Sequence, residues 1–131
     1  MFPILSSESL APGLTRLVVA APLVARRREA GQFVIVRSDD DGERIPLTIV
    51  DASAEQGSIT LIVQAVGKST RMIGGLRAGD ALQDVVGPLG NPTPLLHGAR
   101  VACLGGGVGV AELLPIARAL KREGNTLDSI L

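Results

Sequence analysis

The 131-residue chain has one cysteine, one histidine, two phenylalanines, and no tyrosine or tryptophan. With Cys103 alone, no intrachain disulfide framework and no cysteine-based metal cluster can form. Cys103 sits in the apolar run Val101-Ala102-Cys103-Leu104 and reads as a small core residue rather than a nucleophile. His97, the sole imidazole, lacks partners for a His/Cys metal site, and no Ser-His-Asp set or catalytic carboxylate pair is evident. Asp39-Asp40-Asp41 lacks EF-hand spacing and reads as a solvated turn, so no metal is expected. An excess of either charge is also missing, with 13 Lys+Arg against 13 Asp+Glu. Nucleic-acid and membrane-surface binders normally carry a basic excess. Together with the scarcity of aromatic stacking platforms, this disfavours a translation-factor-like barrel binding nucleic acid. The longest nearly apolar stretch, Leu17 to Ala25, falls far short of the ~20 residues that span a bilayer. Met1-Phe2-Pro3-Ile4-Leu5 has no basic n-region or long apolar region, so no signal peptide is read and a reducing cytoplasm is the expected location.

What is abundant is glycine and proline, 16 and 8 residues, which points to short strands joined by turns. Ile4–Leu10 and Leu14–Ala20 read as strands about a Pro12-Gly13 turn. Arg26-Arg27-Arg28-Glu29 reads as a solvated loop or helical turn. Gln32–Arg37 and Arg44–Val50 read as the third and fourth strands, and Pro46 places the fourth at an edge or where its partner diverges. Ser58–Val66 is a long fifth strand, Arg71–Leu76 a short helix, and Leu82–Val86 a sixth strand running into Gly87-Pro88-Leu89-Gly90. The pattern then changes. An apolar strand at Arg100–Leu104 meets the glycine loop Gly105–Gly109 and an amphipathic helix over Val110–Glu123, with Pro115 expected in its first turn. Thr126–Leu131 begins one more strand. The expected fold is mainly β, then α/β: a six-stranded antiparallel Greek-key barrel over residues 1–97, followed over 98–131 by the first β-α-β of a doubly wound nucleotide-binding domain.

Three segments could carry chemistry. Gly105-Gly106-Gly107-Val108-Gly109 lies between strand and helix, where glycines let backbone approach a pyrophosphate beside unpaired N–H groups. The alternative, less favoured with four glycines among five residues, is a tight turn packing helix on strand, and Val110 breaks the standard dinucleotide spacing. Gly67-Lys68-Ser69-Thr70 looks like the end of a P-loop, but Ile62 stands where its first glycine would be. What remains is a phosphate seat or a helix cap by Ser69 or Thr70. Arg44, Pro46 and Thr48 share one strand face, unusual for a core and compatible with an exposed surface.

In order, Arg-Ile-Pro-Leu-Thr-Ile, Val-Gly-Lys-Ser-Thr, Gly-Pro-Leu-Gly and Gly-Gly-Gly-Val-Gly-Val-Ala resemble the ferredoxin–NADP reductase superfamily. They are most similar to the branch of the dihydroorotate dehydrogenase electron-transfer subunit, the sulfide dehydrogenase small subunit and the NADH-dependent ferredoxin–NADP oxidoreductase alpha subunit. The resemblance implies FAD in the barrel, with Arg44 on its pyrophosphate and Pro46, Leu47 and Thr48 along the isoalloxazine. Thr48 would hydrogen-bond near the reactive nitrogen and is the catalytic candidate. Gln64, Ala65 and Val66 would flank the ribityl or adenosine part, and Gly67, Lys68, Ser69 and Thr70 would contact phosphate. Gly105, Gly106, Gly107, Val108, Gly109 and Ala111 would hold an NAD(P)H pyrophosphate and border the flavin. Electrons would pass from nicotinamide to flavin and singly to an iron–sulfur partner. Leu47 stands where many relatives carry an aromatic residue, and Glu112 where many carry proline. Full relatives continue past the equivalent of Leu131 through the rest of the nucleotide domain to cysteines binding [2Fe–2S], so this sequence is expected to be C-terminally truncated and to lack those ligands. A larger oxidoreductase subunit or self-association is the expected partnership. The alternative is a non-catalytic barrel module for subunit association that has lost turnover.

Overall fold

A computed structural model describes residues 1–131. β1 (Phe2–Ala11) and β2 (Leu14–Ala20) pair antiparallel about Gly13, whose φ of +72° is the left-handed conformation this tight turn requires. α1 (Pro22–Arg27) is a six-residue helix opened by its proline. β3 (Phe33–Arg37), β4 (Ile45–Thr48), β5 (Asp51–Ser53) and β6 (Ser58–Gln64) follow, then α2 (Lys68–Gly74), β7 (Ala81–Leu82) and β8 (Asp84–Leu89). β9 (Arg100–Leu104), α3 (Gly109–Arg122) and β10 (Thr126–Ile130) complete the chain. No helix is long and apolar enough to cross a membrane.

Two antiparallel sheets, β5-β6-β2-β1-β7 and β4-β3-β8, form the first unit. Strands are present at all six expected places, the last of them split into β7 and β8, and β5 (Asp51–Ser53) is an additional strand beyond the expected end of the fourth at Val50. The β4–β5 and β7–β8 junctions are corners where backbone partners change. Ile49 N–H donates to the Gln32 carbonyl at 3.2 Å, while its neighbour Val50 donates to Thr60, across the fold, at 3.0 Å. Likewise Leu82 pairs with Phe2 of β1, whereas Gln83 N–H donates to Arg37 of β3 at 2.9 Å. Through these two corners backbone partners pass from one sheet to the other and link the two sheets into a barrel-like ring. β4 lies at the margin of its sheet, where Pro46 costs no ladder bond to a further strand.

The core follows strand periodicity. Leu17 and Val19 of β2, Val34 and Val36 of β3, and Ile59, Leu61 and Val63 of β6 are all fully buried at alternate positions. They belong to one cluster of 15 residues, all between Ile4 and Val85.

β9 and β10 are parallel, with Arg100 opposite Thr126 through to Leu104 opposite Ile130. α3 covers one face, burying Cys103, Pro115, Ala119 and Leu120. A Cβ on Gly105 would meet Leu113 Cδ2 at 3.1 Å, so glycine permits this close helix–strand approach. Asn125, 7% exposed, ties the unit together. Its Oδ1 accepts from Ala99 N–H at 2.9 Å, and its Nδ2 donates to the carbonyls of Leu96 and Leu120 at 2.7 Å each.

Two helix expectations need correcting. α2 begins at Lys68, not Arg71, because Thr70 Oγ1 folds back to accept from both Val66 N–H and Gly67 N–H at 2.9 Å. This makes Gly67 the N-cap, rather than Ser69 or Thr70. α3 begins at Gly109, so Pro115 lies inside the helix beyond its first turn, and the Ala111 carbonyl loses its usual donor.

Candidate functional site

A cleft of about 430 Å³ opens where the barrel meets the start of α3. That size lies in the range usual for small-molecule sites. Pro46, Leu47 and Thr48 of β4, Gln64 at the end of β6, and Thr70 of α2 line one side. Val108 and Ala111 line the other. Seven residues predicted from three separated segments are thus brought to one concavity. Register explains β4: Leu47 opposes buried Val34 and packs partly on the core, while Thr48 opposes half-buried Phe33.

Gly31, Phe33, Ile45, Val50, Ile62 and Glu112 also line this cleft and were not among the predicted residues. The available signal was Phe33, one of only two aromatics, directly after Gly31-Gln32. Gln32 fixes that approach. It is nearly buried, its Nε2 donates to the Gly90 carbonyl at 2.9 Å, and its Oε1 accepts from Glu29 N–H at 2.9 Å. Glu112 is the one ionisable residue in a lining that is otherwise neutral and largely apolar.

The remaining predicted residues lie outside this cleft. Lys68 and Ser69 line a neighbouring depression of about 480 Å³ with Asp39, Asp41, Gly42 and Glu43. There the Ser69 hydroxyl donates to Glu43 Oε2 at 2.5 Å. Arg44, exposed beside Glu43, takes part in none of the chain's ion pairs. Ala65 is tied to the β1–β2 turn through its N–H to the Gly13 carbonyl at 2.8 Å, and Val66 is 70% exposed.

In the glycine loop, the first N–H groups of α3 are not free. Gly109, Val110 and Ala111 donate to the carbonyls of Gly106, Gly107 and Val108 at 3.0–3.3 Å. The unpaired donors are the N–H groups of Gly106, Gly107 and Val108. A Cβ on Gly106, Gly107 or Gly109 would project into open space, so a ligand could approach this backbone closely. At α2, the N–H groups of Lys68, Ser69 and Thr70 are likewise unpaired. The site therefore combines an apolar slot with two sets of unpaired backbone donors, while Arg44 lines neither the cleft nor the depression. This donor set suits a flat ring system carrying a diphosphate.

No family model matches the chain. A dihydroorotate dehydrogenase B (NAD(+)) electron transfer subunit homolog from Thermotoga maritima is 44% identical over 113 residues, covering 86% of this chain and 40% of that protein. The structure of the NADH-dependent reduced ferredoxin-NADP oxidoreductase, solved in work on flavin-based electron bifurcation, superposes with a TM-score of 0.96 at 40% identity. It covers 98% of this chain and 47% of the other. The chain has the ferredoxin reductase-like fold. The dihydroorotate dehydrogenase B electron transfer subunit of Bacillus caldolyticus, 36% identical, matches over 96% of this chain and 51% of its own length. Phthalate dioxygenase reductase shares the ferredoxin reductase-like fold, with a TM-score of 0.79 at 22% identity. The chain spans about half the length of the curated relatives it matches.

Proposed function

We propose that this ferredoxin reductase-like chain binds FAD in the cleft between β4, β6 and the start of α3, and serves as the flavin-bearing part of an NAD(P)H-dependent electron-transfer oxidoreductase. The observation that carries the reading is the convergence of Pro46, Leu47, Thr48, Gln64 and Thr70 with Val108 and Ala111 around one largely apolar slot. Bound flavin would supply the chemistry, accepting electrons in pairs and releasing them singly. The chain's own residues position it. Pro46 and Leu47 form an apolar bed that keeps water from one face, and the Thr48 hydroxyl, at the end of β4, is placed to hydrogen-bond to the ring. Arg44, exposed and in no ion pair, would neutralise the diphosphate, Lys68, Ser69 and Thr70 would add free N–H groups and an amine, and Gly67 would allow close approach of the backbone. Gln64, Ala65 and Val66 run past the sugar portion.

The open backbone at Gly106, Gly107 and Gly109, with Val108 and Ala111, would receive the pyrophosphate of NAD(P)H on the opposite wall, while Gly105, whose N–H is given to the Ile130 carbonyl, packs helix on strand. Residues 98–131 would then be the opening part of a nucleotide-binding domain, and 1–97 the FAD-binding barrel. Four cysteines for a [2Fe–2S] cluster are not available among these residues, so an iron–sulfur partner would come from elsewhere in a larger assembly.

FAD titration tests this reading. The flavin absorbance should shift from that of free FAD and its fluorescence should quench. Arg44→Ala should weaken binding about tenfold, the cost of one charge-assisted contact of ~1.4 kcal/mol. A free-flavin spectrum at saturating protein would overturn the proposal. A second reading, an association module without turnover, draws on exposed Leu104, Ile130 and Leu131 at 68%, 68% and 78%. Light scattering with and without FAD separates the two, because a cofactor-free stable oligomer that ignores FAD supports the second.

A further inference from the structure

On the side of the molecule away from the glycine loop, the segment after α1 meets the C-terminal half of α3. A cavity of about 240 Å³ there is lined by Arg28, Glu29, Thr93, Leu95, Ala119 and Arg122, among others. Arg28 Nε is buried and has no hydrogen-bond partner, the only side-chain atom of the chain in that condition. Buried donors in native structures are almost always paired, and a guanidinium donor left bare needs an explanation. Arg118 and Arg122, one turn apart on α3, bring two further cations toward Arg28. Burial lowers the Arg28 pKa; Asp51 opposes that shift, and Arg122 and Arg118 add to it. Asp51 is already shared with Arg118 at 3.6 Å. Glu29, exposed at the rim, makes no ion pair with either lining arginine.

We propose that this cavity is an oxyanion site, separate from the cofactor cleft, in which a phosphate- or carboxylate-bearing small ligand is held between Arg28 of the barrel and Arg122 of α3. The cavity has room for a single anionic group and not for a dinucleotide. Arg28 and Arg122 come from different units of the chain, so the bound anion acts as a clasp between them. It satisfies the bare Nε and relieves the repulsion that Arg122 and Arg118 exert on Arg28.

Inorganic phosphate is the probe, titrated into the whole chain against sodium chloride at matched ionic strength, with amide chemical shifts and thermal midpoint as readouts. The expected result is saturable binding, a raised midpoint, and shifts confined to residues 28–30, 92–95 and 118–122. Arg122→Gln should weaken binding about tenfold, and Arg28→Gln at least as much. Arg27→Gln, on the exposed side of α1, should change nothing. Succinate in place of phosphate tests the carboxylate source, and whichever anion binds more tightly names the ligand class. The proposal is overturned if neither anion saturates, or if Arg122→Gln leaves affinity intact. It is also overturned if the shifts appear at 44 and 67–70 and vanish with Lys68→Gln, which would place the anion in the cofactor cradle. The outcome does not depend on whether FAD binds.

Discussion

The barrel and the β9–α3–β10 unit solve the same problem, burying apolar faces, with unequal success. The barrel turns two strands through corners and closes on itself, and 15 buried residues form its one cluster. The second unit contributes none of them. Its two-stranded sheet is covered by α3 on one face only, leaving Leu104 and Ile130, paired across the sheet, both 68% exposed. A parallel sheet is normally covered on both faces. The comparison teaches that the barrel is the stable frame, while the glycine-loop wall of the cleft is carried by a unit with little core of its own, held by polar devices such as Asn125. Local stability should differ accordingly across the two walls of one site.

The sharpest way to break that contrast is a cavity in each unit. Leu61→Ala, at a fully buried position of β6, should cost about 2–5 kcal/mol and lower the global urea midpoint. A loss below 1 kcal/mol would mean the barrel core is not the frame. Asn125→Ala leaves Ala99 N–H and the carbonyls of Leu96 and Leu120 without their partner, a penalty of about 1–3 kcal/mol. Hydrogen exchange should show protection lost across 99–130 and retained in β2, β3 and β6. Equal loss in both units would dissolve the distinction. A third change sharpens the cleft itself. Glu43 occupies the Ser69 hydroxyl in the depression beside Arg44, so Glu43→Gln should tighten FAD binding by about threefold to tenfold, by removing a charge that competes with phosphate. Unchanged or weaker affinity would remove Ser69 from the phosphate cradle. The smallest effect belongs to Leu104→Lys on the uncovered face, expected within about 0.5 kcal/mol in the isolated chain. A larger loss would show that this face is covered in solution.

The sequence announced much of this. The partial alternation in Ser58–Val66, the β-branched and aromatic run Gln32–Arg37, the Pro12-Gly13 turn and the strand–glycine–helix step were all legible, because each is a local pattern with a local cause. The corners at Ile49/Val50 and Leu82/Gln83 were not. Neither glycine nor proline marks them, and only partners far along the chain decide where backbone bonds change sides. The same limit explains the site. Pro46 and Thr48 stood out on one strand face and Leu47 and Ala111 came only with the family resemblance, whereas Ile62 and Val50 are ordinary strand residues that become walls only once the barrel closes. The spent hydroxyl of Ser69 and the occupied first N–H groups of α3 are likewise tertiary or loop-geometry outcomes, invisible in the spacing of residues.

The most direct test of the central claim is a crystal structure of the chain grown with FAD. The account predicts isoalloxazine density between β4 and Val108–Glu112, with the diphosphate against Arg44 and the 67–70 backbone. Flavin bound elsewhere on the molecule, or a cleft closed by Leu47 and Phe33 while FAD remains in solution, would contradict it.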